Sequence, residues 1–334
     1  MDGARHRSAL IPAHSIRAAL TTLDPPALFT RFGGPAITGG MTRIAVLTPD
    51  PADASYSGQW PGVLERLSKA LEAADVTVEP TPWTDHIEDA SGLTGYPLVL
   101  PVIVWGYHRD HGRWMQACRT WEEAGVRMLN PARVIGWNSD KSYLGRLADR
   151  SVAVPETIWV EGVTQADVDA AFDRLGTDVV VVKPRVSGGA WKTLRLTRGE
   201  AMQGAPEGAA MIQPYLPSIE TEGETSLLFF GGKLSHVVNK RPVGGDFRIQ
   251  VQFGGQYAAL PEPPAGALAL AQRTLAEIDE TLLYARIDMA QAPDGGWRLM
   301  EAELIEPDFY LSSAPDGGRN FAEAVRAVLQ ARVA

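Results

Sequence analysis

The fold is decided by a stretch near the C-terminus, Arg286-Ile287-Asp288-Met289, which a turn at 293–296 joins to Trp297-Arg298-Leu299-Met300-Glu301-Ala302-Glu303. Apolar residues flank a Pro-Asp-Gly-Gly turn, a pattern typical of a β-hairpin. Because side chains alternate along a strand, Glu301 and Glu303 point to one face. If Asp288 faces the same way, three carboxylates converge among apolar neighbours.

Three close carboxylates repel one another and are costly to bury, and a hard cation removes both costs. Mg²⁺ prefers a few carboxylate oxygens together with waters and substrate phosphates. The hairpin therefore indicates a magnesium site made by Asp288, Glu301 and Glu303. The alternative is a solvated strand face with two unrelated glutamates, since Glu-x-Glu is common on strands.

The composition argues against several classes of function and site. The 334 residues suffice for two or three domains, and 45% hydrophobic with 21% charged residues is ordinary for a soluble globular protein. A formal net charge of −9 argues against a nucleic-acid partner, because phosphate binding needs a basic surface. The single cysteine, Cys118, excludes an internal disulfide and a Cys-x-x-Cys zinc site. No apolar run approaches the length of a membrane span, so we expect a cytoplasmic protein.

The first forty residues differ from the rest, with four arginines against two aspartates and no apolar core of a signal peptide. We expect residues 1–40 to be a disordered extension, with Met41 opening the folded protein; a functional arm is the alternative. Residues 41–138 then alternate strands with helices, which predicts an α/β domain with a parallel sheet. The predicted strands are 43–48, 76–78, 98–105 and 126–129, and the predicted helices 58–74 and 108–125.

The remainder reads as α+β with antiparallel pairs, and we divide it into segments 139–212 and 213–334. Predicted helices cover 140–150, 164–175, 265–280 and 320–333. Predicted strands cover 157–160, 178–183, 191–196 and 211–216, and a second hairpin covers 226–239. The overall class is therefore α/β followed by α+β.

Phosphate-binding features occur in the middle of the chain. Lys183 ends an apolar strand just before a loop holding Ser187, Gly188 and Gly189. Glycines let backbone N–H groups approach phosphate oxygens, and a lysine adds a point charge. The loop is neither a P-loop nor a dinucleotide fingerprint. It suits a flap over a nucleotide, with an ordinary hairpin loop as the alternative. Lys141, near a predicted helix start, opposes the helix dipole; a solvated lysine is the alternative.

Three further segments offer ligand contacts. Pro214 lacks an N–H, so the link Gln213-Pro214-Tyr215-Leu216 cannot be fully paired in a sheet and could read an adenine edge. One of Glu220, Glu222 and Glu224 could hold ribose hydroxyls, with a plain acidic loop as the alternative. Arg248, in the basic glycine-containing loop 240–248, could clamp an anionic phosphoryl group bidentately, with a surface loop as the alternative.

Taken together, these residues resemble the ATP-grasp superfamily over about residues 41–334. In chain order they are Lys141, Lys183, Ser187-Gly188-Gly189, Gln213-Pro214-Tyr215-Leu216, Glu224, Arg248, Asp288, Glu301 and Glu303. The resemblance implies an ATP-grasp fold with an N-terminal α/β domain, a central subdomain carrying the flap at 139–212, and a C-terminal subdomain with the metal site at 213–334. Each piece alone is weak, but the ordered set is specific.

The resemblance also implies roles for these residues. Lys141 and Lys183 would bind the ATP phosphates, and the loop from Ser187 to Ala190 would cover them. Gln213, Pro214, Tyr215 and Leu216 would hold adenine, and Glu224 the ribose. Asp288, Glu301 and Glu303 would hold two Mg²⁺ ions; Glu303 stands where the similar glutathione synthetase has an asparagine. Arg248 and Lys183 would act as catalytic residues.

Within the superfamily the chain looks most like the cyclo-ligases of D-cycloserine biosynthesis, and more distantly like glutathione synthetase. The segments that carry this similarity are 138–141, 182–184, 213–218, 222–226 and 303–307. It implies an ADP-forming ligase that activates a carboxylate as an acyl phosphate and closes O-ureido-D-serine to D-cycloserine. A bimolecular amino-acid or dipeptide ligase and an ATP-binding regulator without turnover are the alternatives.

Substrate residues are harder to identify from the sequence. Tyr56, Ser57 and the segment 105–108, which ends at His108, lie near a predicted strand end in the N-terminal domain and could face the acceptor, together with Arg248. We expect a small amino-acid-like substrate and no membrane partner. A homodimer is compatible with the family.

Overall fold

The computed structural model describes residues 40–244, 248–250 and 253–331. Apart from Gly40, the predicted extension at 1–40 lies outside the described residues. Within these ranges, no helix is long and apolar enough to cross a membrane.

The N-terminal region is built around a three-stranded parallel sheet. Its elements are β1 (Thr42–Thr48), α1 (Trp60–Glu72), β2 (Val76–Pro82), β3 (Val99–Leu100) and α2 (His111–Glu123). The strand order is β2-β1-β3, and both pairings are parallel, as predicted. Two apolar cores cover the faces of this sheet.

Two predicted strands of this region are wrong. Of the apolar run 98–105, only Val99 and Leu100 form a strand, because Pro101 offers no N–H to a ladder. Val102, Ile103 and Val104 are nevertheless buried in irregular chain. The segment 126–129 contributes only an isolated bridge between Val99 and Met128. An apolar run predicts that its residues are buried, and buried residues need not form a strand.

The middle of the chain forms a four-stranded antiparallel sheet with the order β4-β7-β5-β6. Its elements are α3 (Ala132–Asn138), α4 (Tyr143–Asp149), β4 (Ile158–Val160), α5 (Gln165–Arg174), β5 (Val179–Pro184), β6 (Leu194–Thr197) and β7 (Ala210–Pro214). Thr164 caps α5 through a reciprocal pair of hydrogen bonds with Asp167. Helix α3 has no counterpart among the predicted elements, because seven residues are too few to show a helical period. The helix predicted at 140–150 begins at Tyr143, so Lys141 lies in the link before it.

The last part forms a five-stranded antiparallel sheet with the order β10-β9-β8-β11-β12. Its elements are α6 (Ser218–Thr221), β8 (Glu224–Phe230), β9 (Lys233–Arg241), β10 (Gln256–Leu260), α7 (Ala265–Ala276), β11 (Tyr284–Gln291), β12 (Trp297–Glu303) and α8 (Arg319–Gln330). Both predicted hairpins are confirmed. Helix α8 packs back into the N-terminal core through Phe321, Val325 and Leu329.

Candidate active site

The hairpin of β11 and β12 places its acidic residues side by side. In the strand register Asp288 lies opposite Glu301, and Arg286 lies opposite Glu303. Residues two apart on a strand share a face, so all four side chains lie on one side of the sheet. Arg286 is absent from the residues singled out in the sequence. The spacing Arg-x-Asp on a predicted strand is the signal that could have found it.

Asp288 is the most deeply held of the three carboxylates, with 3% of its surface exposed. One oxygen accepts hydrogen bonds from Ser226 Oγ at 2.5 Å and Arg286 Nε at 3.1 Å, and the other accepts one from Arg286 Nη2 at 3.0 Å. Lys240 Nζ lies 3.2 Å from Oδ1. Burial opposes the charged form, but Arg286 and Lys240 outweigh it and lower the pKa of Asp288 to about 2.

Lys240 extends this network to the predicted ribose carboxylate. It lies opposite Glu224 in the pairing of β8 with β9, and its Nζ is 2.6 Å from Glu224 Oε1. Burial opposes the charge of Lys240, but Asp288 and Glu224 raise its pKa. Arg286 likewise joins Asp288 to Glu303. The five-stranded sheet therefore carries alternating buried charges that neutralise one another.

Two lysines approach the cluster from the middle of the chain, Lys141 from the link before α4 and Lys183 from β5. Lys141 Nζ lies 2.8 Å from Glu301 Oε1 and donates to the Ser187 carbonyl at 3.2 Å. Burial disfavours its charge, yet Glu301 outweighs that effect and raises the pKa of Lys141. Among the described residues Lys183 donates to Gln213 Oε1 alone, at 3.4 Å. Its pKa is lowered, mainly by burial and further by the charge of Lys141, while the charges of Glu301 and Glu224 act in the opposite direction.

The predicted flap, residues 187–190 between β5 and β6, rests on its surroundings at both ends. Lys141 N–H donates to the Arg185 carbonyl at 2.9 Å, and Arg185 pairs with Asp140 at 2.7 Å. On the other side His108 packs against the flap, since a Cβ on Gly188 would come within 3.2 Å of His108 Nδ1. The Trp191 ring lies 5.8 Å from the His108 ring. The loop thus spans the gap between the central sheet and the N-terminal region.

The predicted adenine link has several of its polar groups already engaged. Gln213 is buried, and its amide donates to Thr157 Oγ1 at 2.9 Å. Tyr215 N–H donates to the Val179 carbonyl, and its hydroxyl donates to Glu220 Oε1. These hydrogen bonds hold residues 213–216, which lead from the four-stranded sheet towards the five-stranded sheet, in place. An adenine contact by Gln213, Pro214, Tyr215 or Leu216 stays a prediction.

The predicted substrate residues Tyr56 and Ser57 differ in what their side chains contact. Tyr56 packs on Trp105 and lies under the guanidinium of Arg109, and burial raises its pKa. Ser57 closes a short helical turn by donating to the Ala54 carbonyl at 2.9 Å, which is a structural role. Tyr107, within the predicted segment 105–108, is buried, and burial raises its pKa, as do the charges of Glu306, Glu301 and Glu303.

Arg248 lies between β9 and β10, where its guanidinium carbon is 3.5 Å from the centre of the Phe253 ring. This contact places it on an aromatic face, a common arrangement for arginine. Its role as a phosphoryl clamp stays a prediction.

The carboxylates fit a hard cation only in part. Among the described residues, no three acidic, histidine or cysteine side chains are arranged so that they could hold a metal ion. Asp288 has both oxygens engaged by Arg286, whereas Glu301 and Glu303 each use one oxygen, towards Lys141 and Arg286. Glu301 and Glu303 therefore keep an oxygen each for Mg²⁺, and Asp288 would have to exchange a guanidinium bond for the ion.

Sequence comparison finds known proteins that are similar to this chain. Residues 44–130 match the family model of the N-terminal domain of D-cycloserine synthetase DcsG. The chain is 27% identical to the cycloserine biosynthesis protein DcsG of Streptomyces lavendulae over 276 residues, which is 78% of this chain and 91% of that protein. It is 30% identical to a glutathione synthetase of Prochlorococcus marinus over 220 residues, 61% of this chain and 65% of that protein.

Comparison with solved structures finds the same relative as the sequence comparison. The crystal structure of D-cycloserine synthetase DcsG superimposes with a TM-score of 0.70 at 25% identity, covering 86% of this chain and all of that one. The mixed sheets and helices described above are those of the ATP-grasp ligases. The chain therefore has the ATP-grasp fold, and it is similar to the D-cycloserine synthetases and more distantly to the glutathione synthetases.

Proposed function

We propose that this chain is an ATP- and Mg²⁺-dependent ligase that activates a carboxylate as an acyl phosphate, releases ADP and forms a C–N bond. The observation that carries the proposal is that Lys141 connects the five-stranded sheet to the flap. Its ammonium bridges Glu301 of the five-stranded sheet and the flap carbonyl of Ser187. A cation between a carboxylate pair and a glycine flap suits the γ-phosphate of a bound nucleotide.

In this proposal the chain contributes positioning and charge neutralisation, with no covalent nucleophile. In the described part of the chain no acidic side chain contacts Lys183, and Glu301 and Glu224 act on it only from a distance, so a phosphate oxygen would supply a counter-charge in direct contact. The flap excludes water, which would otherwise hydrolyse the acyl phosphate. Bound Mg²⁺ would neutralise the phosphates, and Glu301 and Glu303 are the residues that would hold it. Arg248 would clamp the transferred phosphoryl group.

The finer proposal is that one molecule supplies both reacting groups, so that O-ureido-D-serine closes to D-cycloserine with loss of carbamic acid. Similarity to the D-cycloserine synthetases over most of the chain supports it. The similarity to glutathione synthetases supports a second candidate, a bimolecular amino-acid ligase. The two share the nucleotide site and differ in whether turnover needs one substrate or two.

The test is mass spectrometry of enzyme, Mg²⁺-ATP and O-ureido-D-serine, with ADP release followed in parallel. ADP together with cycloserine supports ring closure. ADP formed only when two amino acids are present supports the bimolecular ligase and removes the cyclo-ligase. ATP binding without ADP formation, across a panel of amino acids offered singly and in pairs, would contradict the proposal as a whole.

A further inference from the structure

Two loops of the N-terminal region meet in a charged cluster whose arginine and aspartate have no role in the function proposed above. Arg109 Nη1 donates to Asp53 Oδ2 at 2.6 Å and to Ser55 Oγ at 3.2 Å. The Arg109 guanidinium carbon lies 4.9 Å from the centre of the Tyr56 ring, and that ring lies 5.7 Å from the ring of Trp105. We call Asp53, Tyr56 and Arg109 the loop cluster. It joins the loop after β1 to the loop after β3.

The loop cluster lies at the edge of the sheet where α/β proteins bind ligands. In the strand order β2-β1-β3 the chain changes direction between β1 and β3, and the carboxyl ends of such parallel strands flank a crevice. The two loops approach closely, since a Cβ on Gly106 would be 3.3 Å from Tyr56 Cε2 and 3.5 Å from Asp53 Oδ2. Asp53 Oδ1 also accepts from the Ser55 N–H at 2.9 Å. These contacts hold the cluster in place before a ligand binds.

The loop that carries Arg109 also borders the flap. Arg109 directly follows His108, whose Nδ1 would be 3.2 Å from a Cβ on Gly188. The neighbouring flap residue, Ser187, accepts through its carbonyl from Lys141 Nζ at 3.2 Å. Adjacent flap residues therefore contact the loop of Arg109 and the lysine that the proposed function assigns to the γ-phosphate. A substrate whose carboxylate is activated beside Lys141 can reach the loop cluster with its other end.

The charges of the cluster indicate which chemical group it would recognise. Arg109 and Asp53 neutralise each other, and 45% and 22% of their side chains are exposed, so both can still contact a ligand. A charged group would gain little from this pair, because one partner attracts it and the other repels it. A neutral planar group with a carbonyl oxygen beside an N–H can form hydrogen bonds with both partners at once. Amide and carbamoyl groups have this arrangement.

We propose that the loop cluster binds a carbamoyl group of the substrate, with Arg109 donating to its carbonyl oxygen and Asp53 accepting from its NH₂ group. This inference rests on the proposed ligase function and deepens it, because O-ureido-D-serine carries such a group at the end opposite its carboxylate. The two hydrogen bonds that hold Arg109 in the cluster use Nη1, so the Nη2 side of the guanidinium can donate to the carbonyl. Arg109 thus determines substrate specificity, and phosphoryl transfer does not depend on it.

The experiment compares two ligands that differ only in the carbamoyl group. Calorimetry in the presence of Mg²⁺ and AMPPNP measures the Kd of O-ureido-D-serine and of β-aminooxy-D-alanine, which is the same molecule without that group. The proteins are wild type, Arg109→Met, Arg109→Lys and the control Arg43→Met. Urea denaturation verifies that each variant folds.

Arg43 is a matched control because its surroundings resemble those of Arg109. It pairs with Glu79 at 3.2 Å, and its guanidinium carbon lies 5.9 Å from the centre of the Tyr96 ring. Arg43 is, however, the second residue of β1 and lies at the opposite edge of the parallel sheet. Arg43→Met therefore removes a similar ion pair and a similar ring contact away from the proposed site.

We expect Arg109→Met to raise the Kd of O-ureido-D-serine by about 10- to 100-fold, the effect of losing a hydrogen bond from a charged group, and that of β-aminooxy-D-alanine by less than about threefold. Arg109→Lys keeps a cation beside Asp53 but loses the planar fork, so we expect a smaller rise for O-ureido-D-serine, of about fivefold. This variant carries the test if Arg109→Met does not fold. Arg43→Met should change neither Kd.

Equal losses for the two ligands would mean that Arg109 only shapes the loop, and they would overturn the proposal. Unchanged Kd values in the Arg109 variants, a matching loss in Arg43→Met, or wild type that binds both ligands equally or neither of them would overturn it too. ADP release, measured on the same preparations, tests the ligase function separately. Wild type that binds O-ureido-D-serine through Arg109 but releases no ADP would contradict the ligase function and still support the binding site.

Discussion

Two buried lysines, one on each sheet, differ in how far neighbouring acidic side chains compensate their charge. Lys240, on β9 of the five-stranded sheet, lies 2.6 Å from Glu224 and 3.2 Å from Asp288, and these acids raise its pKa. Lys183, on β5 of the four-stranded sheet, has the neutral amide of Gln213 as its one hydrogen-bond partner among the residues described, and burial lowers its pKa although the more distant Glu301 opposes this. One sheet carries a cation whose counter-charge is built in, and the other carries a cation that still needs one.

The difference indicates which charged residues stabilise the fold and which are expected to bind a ligand. A buried ammonium with two carboxylates is part of a closed network, and removing it leaves unpaired anions. A buried ammonium without an anion is held at a cost that a bound phosphate would offset. We infer that Lys240 mainly maintains the structure, whereas Lys183 mainly serves the nucleotide. The predictions below test that contrast.

The largest effect is expected for Lys240→Met. The methionine keeps most of the apolar stem but leaves Glu224 and part of the charge on Asp288 uncompensated in a buried position. We expect a loss of about 3–5 kcal/mol in the free energy of unfolding, measured by urea denaturation. Lys183→Met is the matched variant and should change that free energy by less than about 1 kcal/mol. Equal losses in the two variants would remove the contrast.

The second effect concerns activity rather than stability. Lys183→Met should lower kcat/KM for ATP by about 100-fold or more, because it removes a preorganised cation from the transferred phosphate. ADP release measured by a coupled assay gives this value, and the urea curve of the same preparation verifies folding. Activity within about threefold of wild type would show that Lys183 is structural after all.

The third effect tests the flap. Gly188→Ala would place a Cβ within 3.2 Å of His108 Nδ1 and 3.4 Å of Cε1, so the loop or the ring must move. We expect more ADP per molecule of product, by a factor of about ten, since a displaced flap admits water to the acyl phosphate.

Two variants serve as controls for the flap. Gly162→Ala, where nothing lies within 4 Å of the new Cβ, should leave the ratio of ADP to product unchanged. The double variant Gly188→Ala, His108→Ala should restore part of the coupling, because it removes the obstructing ring. A double variant that is as uncoupled as Gly188→Ala alone would show that the clash with the His108 ring is not the cause of the uncoupling.

The smallest effect is a pH dependence of stability. Burial lowers the pKa of His108 from its usual 6.5 to about 4; Arg109 and Lys141 act in the same direction, and Asp53 opposes them. Gly188 and Trp191, which pack on the ring, carry no charge. Between about pH 4 and 6.5 the unfolded chain protonates His108 while the folded chain does not. Stability should therefore fall as pH decreases through this window.

Urea denaturation at pH 7.5 and at pH 4.5 measures this effect in wild type and in His108→Gln. We expect wild type to lose about 1–2 kcal/mol more than the variant between the two pH values, a figure reduced for the exposed part of the ring. The same loss in both proteins would mean that His108 is not the titrating group.

Much of the fold and part of the candidate site could be read from the sequence. The hairpin of Asp288 and Glu301, the capping box at Thr164 and the long helices follow from local patterns, which act over a few neighbouring residues. The strand predicted at 98–105 fails because an apolar run indicates burial alone. The edge strand β10 has no prediction, since its mostly exposed residues show no alternation of apolar and polar side chains.

The residue types of the candidate site and their order along the chain could be read from the amino-acid sequence: two lysines, a glycine loop, and acidic residues spaced two apart on a strand. Which of these charges are in contact depends on the packing of the sheets. Lys141 and Glu301 are far apart in sequence and touch in space, and Lys240 links Glu224 to Asp288 across three strands. The reason is physical, because ion pairing depends on distance and burial, and both are set by the packing of separate sheets.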